Sequence, residues 1–167
     1  MRLFQNIKTF RNWYQHYWDR YGSGPVGKEV TLSLRNGLTI HLRKKTSDFR
    51  TARSIFTDKS YLPSPITIPE KGTIIDIGGH IGCFTLFAAH RMKQGKILTF
   101  EPEPSNFHLL EKNVRTNRLE QVTLFHRAIT SKAEKREMYY PGKKTSTGGN
   151  SLFRKGPDSF PVDCTTL

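Results

Sequence analysis

At 167 residues, 19.2 kDa and 35% hydrophobic content, the chain amounts to one globular domain able to bury a core of its own. Its two cysteines, Cys83 and Cys164, form no CxxC pair, and its six histidines include no HExxH and no zinc spacing; a disulfide scaffold is excluded, no metal site is expected, and a reducing, cytoplasmic setting is the simplest reading. The net charge of +13 is heaviest in residues 1–60, with 12 Lys+Arg against 4 Asp+Glu; a solvated basic surface is the simplest account, attraction to an anionic membrane face or an acidic substrate stays open, and nucleic acid is not expected as a partner.

Residues 1–21 carry Phe4, Ile7, Phe10, Trp13, Tyr14, Tyr17, Trp18 and Tyr21 at three- and four-residue intervals. That spacing predicts one helix with an aromatic face edged by Lys8, Arg11 and Arg20. Docking of this face on the domain or on a partner is the preferred reading. The alternative is peripheral membrane contact, because tryptophans beside basic residues suit lipid headgroups. The segment has no unbroken apolar run of signal-peptide or membrane-spanning length. With the GSGPVG loop at 22–27 it forms a first unit, 1–27.

A second unit, 28–70, opens on two alternating runs, Val30 to Arg35 and Leu38 to Arg43. Asn36-Gly37 between them tolerates positive φ and predicts a hairpin, with Leu32, Leu34, Leu38, Ile40 and Leu42 on one buried face. Thr46, Ser47 and Asp48 offer helix N-caps, with Phe49, Ala52, Ile55 and Phe56 at helical spacing behind them. Pro63, Pro65 and Pro69 make 62–70 an extended linker.

The third unit, 71–167, contains the stretch TIIDIGGHIGCFTLFAAH, which reads as strand, tight turn and helix. A dinucleotide fingerprint would need G-x-G-x-x-G. From Gly78 that register meets His80 and Cys83, and the register through Gly79 meets Ile77, so a nicotinamide-dependent oxidoreductase is disfavoured. Helix from Ile81 to Met92, strand from Lys96 to Phe100, helix from Pro104 to Asn117 with Phe107, Leu110 and Val114 on one face, and strand from Val122 to Ile129 follow in order. This alternation predicts a parallel sheet in which the first strand neighbours the second and the second the third. Glu134 to Tyr140 suggests a further strand, and Pro141 to Asn150 reads as a mobile loop.

Asp76, two residues before the first glycine, and Glu101, closing the next strand, form an arrangement similar to that of S-adenosylmethionine-dependent methyltransferases. A cationic sulfonium needs no phosphate cradle and suits acidic neighbours. An ionised Glu101 can accept hydrogen bonds from both hydroxyls of a ribose. The ordered series LRNGLTIHLRKKTSDF, DIGGHIGCFTLFAA, FEPEPSNFHLLEKNVRTN and VTLFHRAI resembles the FkbM family of methyltransferases from about Val30 to the last residue. His80 stands where relatives usually carry asparagine. The resemblance implies an α/β fold with a Rossmann-like class I methyltransferase sheet, preceded by the hairpin and the amphipathic helix. It implies S-adenosyl-L-methionine as cofactor, held by Asp76, Gly78, Gly79, His80, Gly82, Glu101 and Pro102, and methyl transfer to an oxygen of a small-molecule, sugar or lipid-linked acceptor. It also implies that the TSDF segment and Tyr61 close over the site. Plainer roles stand beside these: Asp76 as a tie for the turn, Glu101 as a solvated strand end, Phe84 as core, and His90, His108 and His126 as surface residues.

The TIIDI strand is apolar on both faces, which predicts a central strand with a neighbour on each side. A fourth parallel strand is expected beyond Leu167, so the chain reads as the amino-terminal part of a methyltransferase, with an uncovered edge open to self-association. No general base is identified. A non-catalytic nucleoside-binding module, or a basic module for nucleic acid or membrane, is the alternative.

Overall fold

The computed structural model describes residues 2–58, 67–142 and 145–167. Tyr61, Pro63 and Pro65 lie outside these.

The single amino-terminal helix expected from the aromatic spacing is instead two, α1 (Arg2–Thr9) and α2 (Gln15–Tyr21). The break is made by the first strand of the hairpin, β1 (Glu29–Ser33). Its free edge captures the chain: Phe10 bridges to Leu34, the Arg11 N–H donates to the Ser33 carbonyl at 2.8 Å, and Asn12 bonds both Ser33 N and Thr31 O. Satisfying strand-edge groups outweighs continuing the helix. Phe10 is buried, whereas Phe4, Tyr14, Tyr17, Trp18 and Tyr21 face outward.

β1 pairs antiparallel with β2 (Thr39–Arg43), and the connection turns at Gly37, whose φ of 96° suits glycine. All five leucine and isoleucine side chains expected on the hairpin's inner face are buried. They share one core with α3 (Asp48–Phe56), α4 (Cys83–Arg91) and α5 (Pro104–Thr116). The outer edge of β2 is closed by side chains of α5 and its C-cap. Asn113 accepts from His41 N–H at 2.6 Å and donates to His41 O at 3.0 Å, and Asn117 makes the same pair of bonds to Thr39 at 2.8 and 2.7 Å. Amide side chains thus stand in for a third strand and protect the edge.

The parallel sheet has the expected order, β3 (Lys71–Ile77), β4 (Gln94–Phe100), β5 (Val122–Phe125), in a Rossmann-like α/β arrangement. Both crossovers run the same way along the sheet, so right-handed connection puts α4 and α5 on one face. On that face Asp76, Ile97 and Thr99 are buried; on the other, Ile75 and Ile77 are 45% and 56% exposed. Among the described residues β3 is the sheet's edge.

The strand expected over Val122–Ile129 divides. Phe125 stacks on Phe100 and His126 on Phe107, each with ring centroids 4.5 Å apart. The first stack joins register partners of β4 and β5; past His126 the chain leaves this sheet, and β6 (Ala128–Ile129) joins a second sheet of order β6-β8-β7. There β8 (Ser159–Thr165) runs parallel to β6 and antiparallel to β7 (Lys135–Tyr139) around Ala128, Met138, Val162 and Cys164.

Candidate functional site

The glycine turn folds back over the end of β4. Gly78 and Gly79 N–H both donate to the Phe100 carbonyl, at 2.8 and 3.0 Å, His80 N–H donates to Glu101 Oε2 at 2.7 Å, and Gly82 N–H to Gly79 O at 2.8 Å. Four turn amides are therefore consumed inside the protein, so this turn is no cradle for a phosphate, which would need them free. Gly79 is required by contact rather than by φ: a Cβ there would lie 2.3 Å from Thr99 Cγ2. His80 sits at φ 54°. Asparagine and histidine both tolerate that left-handed region better than most residues, so the backbone accommodates either.

The two carboxylates sit on opposite sides of this turn. Asp76 lies beneath it, where Oδ2 accepts a 2.6 Å bond from Thr85 of α4, itself 3.2 Å from Thr99 Oγ1. Burial raises the Asp76 carboxyl above its usual range, with the Thr85 hydroxyl opposing. Glu101 lies above. Its Oε1 accepts from Glu103 N–H at 2.9 Å and its Oε2 from His80, and the Asn106 amide stands 3.5 Å from Oε1. Burial raises Glu101 too, opposed by the bonds from Glu103 and His80. A carboxylate has about four acceptor positions, so Glu101 keeps capacity for a ligand. Glu103 next door is spent: it caps α5, accepting from Ser105 N–H and Asn106 N–H at 3.1 and 2.6 Å.

Over the turn lies a buried polar network seeded by Asp48 of the TSDF segment. Arg43 reaches it with Nε at 2.9 Å and a second nitrogen at 3.3 Å, then extends to Ser105 and Asn106 of α5 at 2.8 and 2.6 Å. Burial works to raise the Asp48 carboxyl; the Arg43 bonds, with His80 and Thr147, outweigh it and hold it below the usual range. Thr147 closes the network. Its hydroxyl donates to Asp48 and stands 2.9 Å from His80 Nε2 and 2.7 Å from Ser47 Oγ, while its carbonyl accepts from Asn106 at 2.9 Å. One hydroxyl donates once and accepts twice, which assigns the proton of His80 to Nε2. Burial lowers the His80 pKa, with Asp48 opposing. Thr145 and Thr147 thereby strap this end of the 141–150 segment across the turn. The sequence marked Asp48 and His80 but not Arg43, Asn106 or Thr147, whose only advance signal was their polarity.

Beside the strap, at the carboxyl ends of β3 and β4, opens a cavity of about 490 Å³. Gly78, His80, Glu101 and Pro102 line it with Thr51, Asn106 and the strap glycines. Asp76, Gly79 and Gly82, also marked from the sequence, are not in its wall and shape the turn from behind. A second cavity of about 400 Å³ lies across the strap between Arg43, Ser105, Tyr140 and Asp158, sharing Asn150 with the first. Among the described residues no three His, Cys, Asp or Glu side chains converge as a metal would need.

No protein-family model matches the chain. Curated relatives do. The 31-O-demethyl-FK506 methyltransferase FkbM of Streptomyces tacrolimicus is 32% identical over 120 residues, 71% of this chain and 45% of that protein. Methyltransferase 1 of Beauveria bassiana is 37% identical over 70 residues, 42% of this chain and 27% of the relative. Methyltransferase sdnD of Sordaria araneosa is 37% identical over 65 residues, 39% and 24% of the two chains. The chain thus spans between 24% and 45% of the length of these relatives.

Proposed function

Because the chain belongs to the FkbM family of methyltransferases, we propose that the cavity at the ends of β3 and β4 binds S-adenosyl-L-methionine, for methyl transfer to an oxygen of a small-molecule, sugar or lipid-linked acceptor. One observation carries the reading: Glu101, buried and fixed by two backbone N–H bonds, presents its remaining acceptor positions to a cavity of nucleoside size. The donor set fits. Ribose hydroxyls would donate to Glu101, and a turn with its amides already used suits a ligand with a cationic centre and no phosphate. When bound, the cofactor supplies an electrophilic methyl group. The chain's own part is positioning, on which an in-line displacement mainly depends. His80 N–H and Glu103 N–H aim Glu101, and Thr147 holds the strap over the cavity.

Parallel calorimetric titrations with S-adenosylhomocysteine and with NAD test the reading. Saturable binding of the first, little changed by added salt, with no heat from the second is the expected result. Binding of NAD alone, or a steep salt dependence signalling phosphate contacts, would overturn it.

A further inference from the structure

The aromatic surface at the amino terminus is left over by the cofactor site, and the fold holds it outward. Phe10, Asn6 and Asp19 face inward, Asp19 accepting from the Lys45 amide. With those sides committed, Phe4, Trp18 and Tyr21 stand 66%, 57% and 76% exposed, joined by Leu3, Tyr14 and Tyr17. Half-buried Trp13 braces Tyr14 and Tyr17 edge-on, at centroid distances of 6.4 and 6.0 Å. The rest of the described surface exposes one aromatic comparably, Phe153.

The charge around these rings has one sign. Residues 2–28 contain a single carboxylate, Asp19, and it is buried. Lys8 lies 5.3 Å from the centre of the Phe4 ring, Arg11 is exposed, and Arg35 is tied beside α1 through its 2.7 Å bond to Ile7 O. We propose that the outward face of α1 and α2 docks on a bilayer surface carrying anionic headgroups. Tryptophan and tyrosine place a ring among acyl chains and a polar tip among headgroups, Leu3 and Phe4 add apolar area, and the cations meet lipid phosphates with no exposed carboxylate to repel them. A single-stranded nucleic acid would also accept rings and cations but needs a groove that tracks its backbone; neither cavity described above is lined by residues 2–28, and Leu3 and Phe4 are fully apolar. Among the described residues no helix is long and apolar enough to cross a membrane. This inference is independent of the methyltransferase reading.

Co-sedimentation of the chain with phosphatidylcholine vesicles, with and without about one third phosphatidylglycerol, tests it. The chain should pellet with the anionic vesicles and stay in solution with the neutral ones. Lys8→Gln with Arg11→Gln should weaken binding by about 25-fold, from about fivefold per cation removed. Trp18→Ser with Tyr21→Ser, at positions outside the buried core, should release the protein while it still melts cooperatively. Equal behaviour on both vesicle types, full binding by either double variant, or loss of vesicle binding in the presence of a single-stranded oligonucleotide would overturn the proposal.

Discussion

Two buried acidic regions flank one glycine turn, and they are built differently. Beneath it, Asp76 is buried between α4 and β4 and accepts one short bond from Thr85. Above it, Glu101 belongs to a network of backbone amides, asparagine, histidine and strap, and it borders open space. Burial raises both carboxyls, and of the two Glu101 is the one that lines the cavity. On the function proposed above, the difference separates two roles that a sequence motif merges: one carboxylate shapes the turn, and the other meets the ligand.

The most damaging way to break the upper region is Asp48→Ala. It leaves Arg43 without its buried partner and loosens Thr147 together with His80, so a loss of about 3–5 kcal/mol in chemical denaturation is expected. Gly79→Ala strikes the seam between the regions. The added methyl meets the short, buried Thr99 side chain, and overpacking of this kind costs about 1–3 kcal/mol. Thr147→Val keeps the shape of the strap but removes a hydroxyl with three partners; about 1–2 kcal/mol should be lost, and amide exchange should quicken across 145–150. The gentlest change, Asp76→Asn, tests the lower region by pH. A carboxyl whose folded pKa is raised contributes its stability fully below the ordinary value of 3.8, and that contribution disappears as pH rises through the raised value. The variant should flatten this part of the stability profile between mildly acid and neutral pH, with nucleoside affinity held within about twofold.

Much of this was legible in the sequence because it is local. Alternating leucines around Asn36-Gly37 specify the hairpin and its buried face, and the apolar strand followed by Asp76 and three glycines specifies strand, turn and helix. What escaped depends on distant partners. Thr147 meets Ser47 across 100 residues and Arg43 meets Asn106 across 63, so nothing near either residue announces its role. Likewise the aromatic spacing of residues 1–21 favours one helix, and only the unpaired edge of β1 explains the break at Phe10. The division of Val122–Ile129 depends on β8, whose Cys164 and Thr165 pair with Ala128 and Ile129 from more than thirty residues away.

The decisive measurement is the affinity of S-adenosylhomocysteine for the wild-type chain, Glu101→Ala and Asp76→Asn at neutral pH. Loss of the charge-assisted bonds at Glu101 should weaken binding by about 1.5–3 kcal/mol, roughly 10- to 150-fold, while Asp76→Asn binds as the wild type does. Equal affinity of Glu101→Ala and wild type, or no binding by the wild type, would contradict the assignment of Glu101 as the ligand-facing carboxylate.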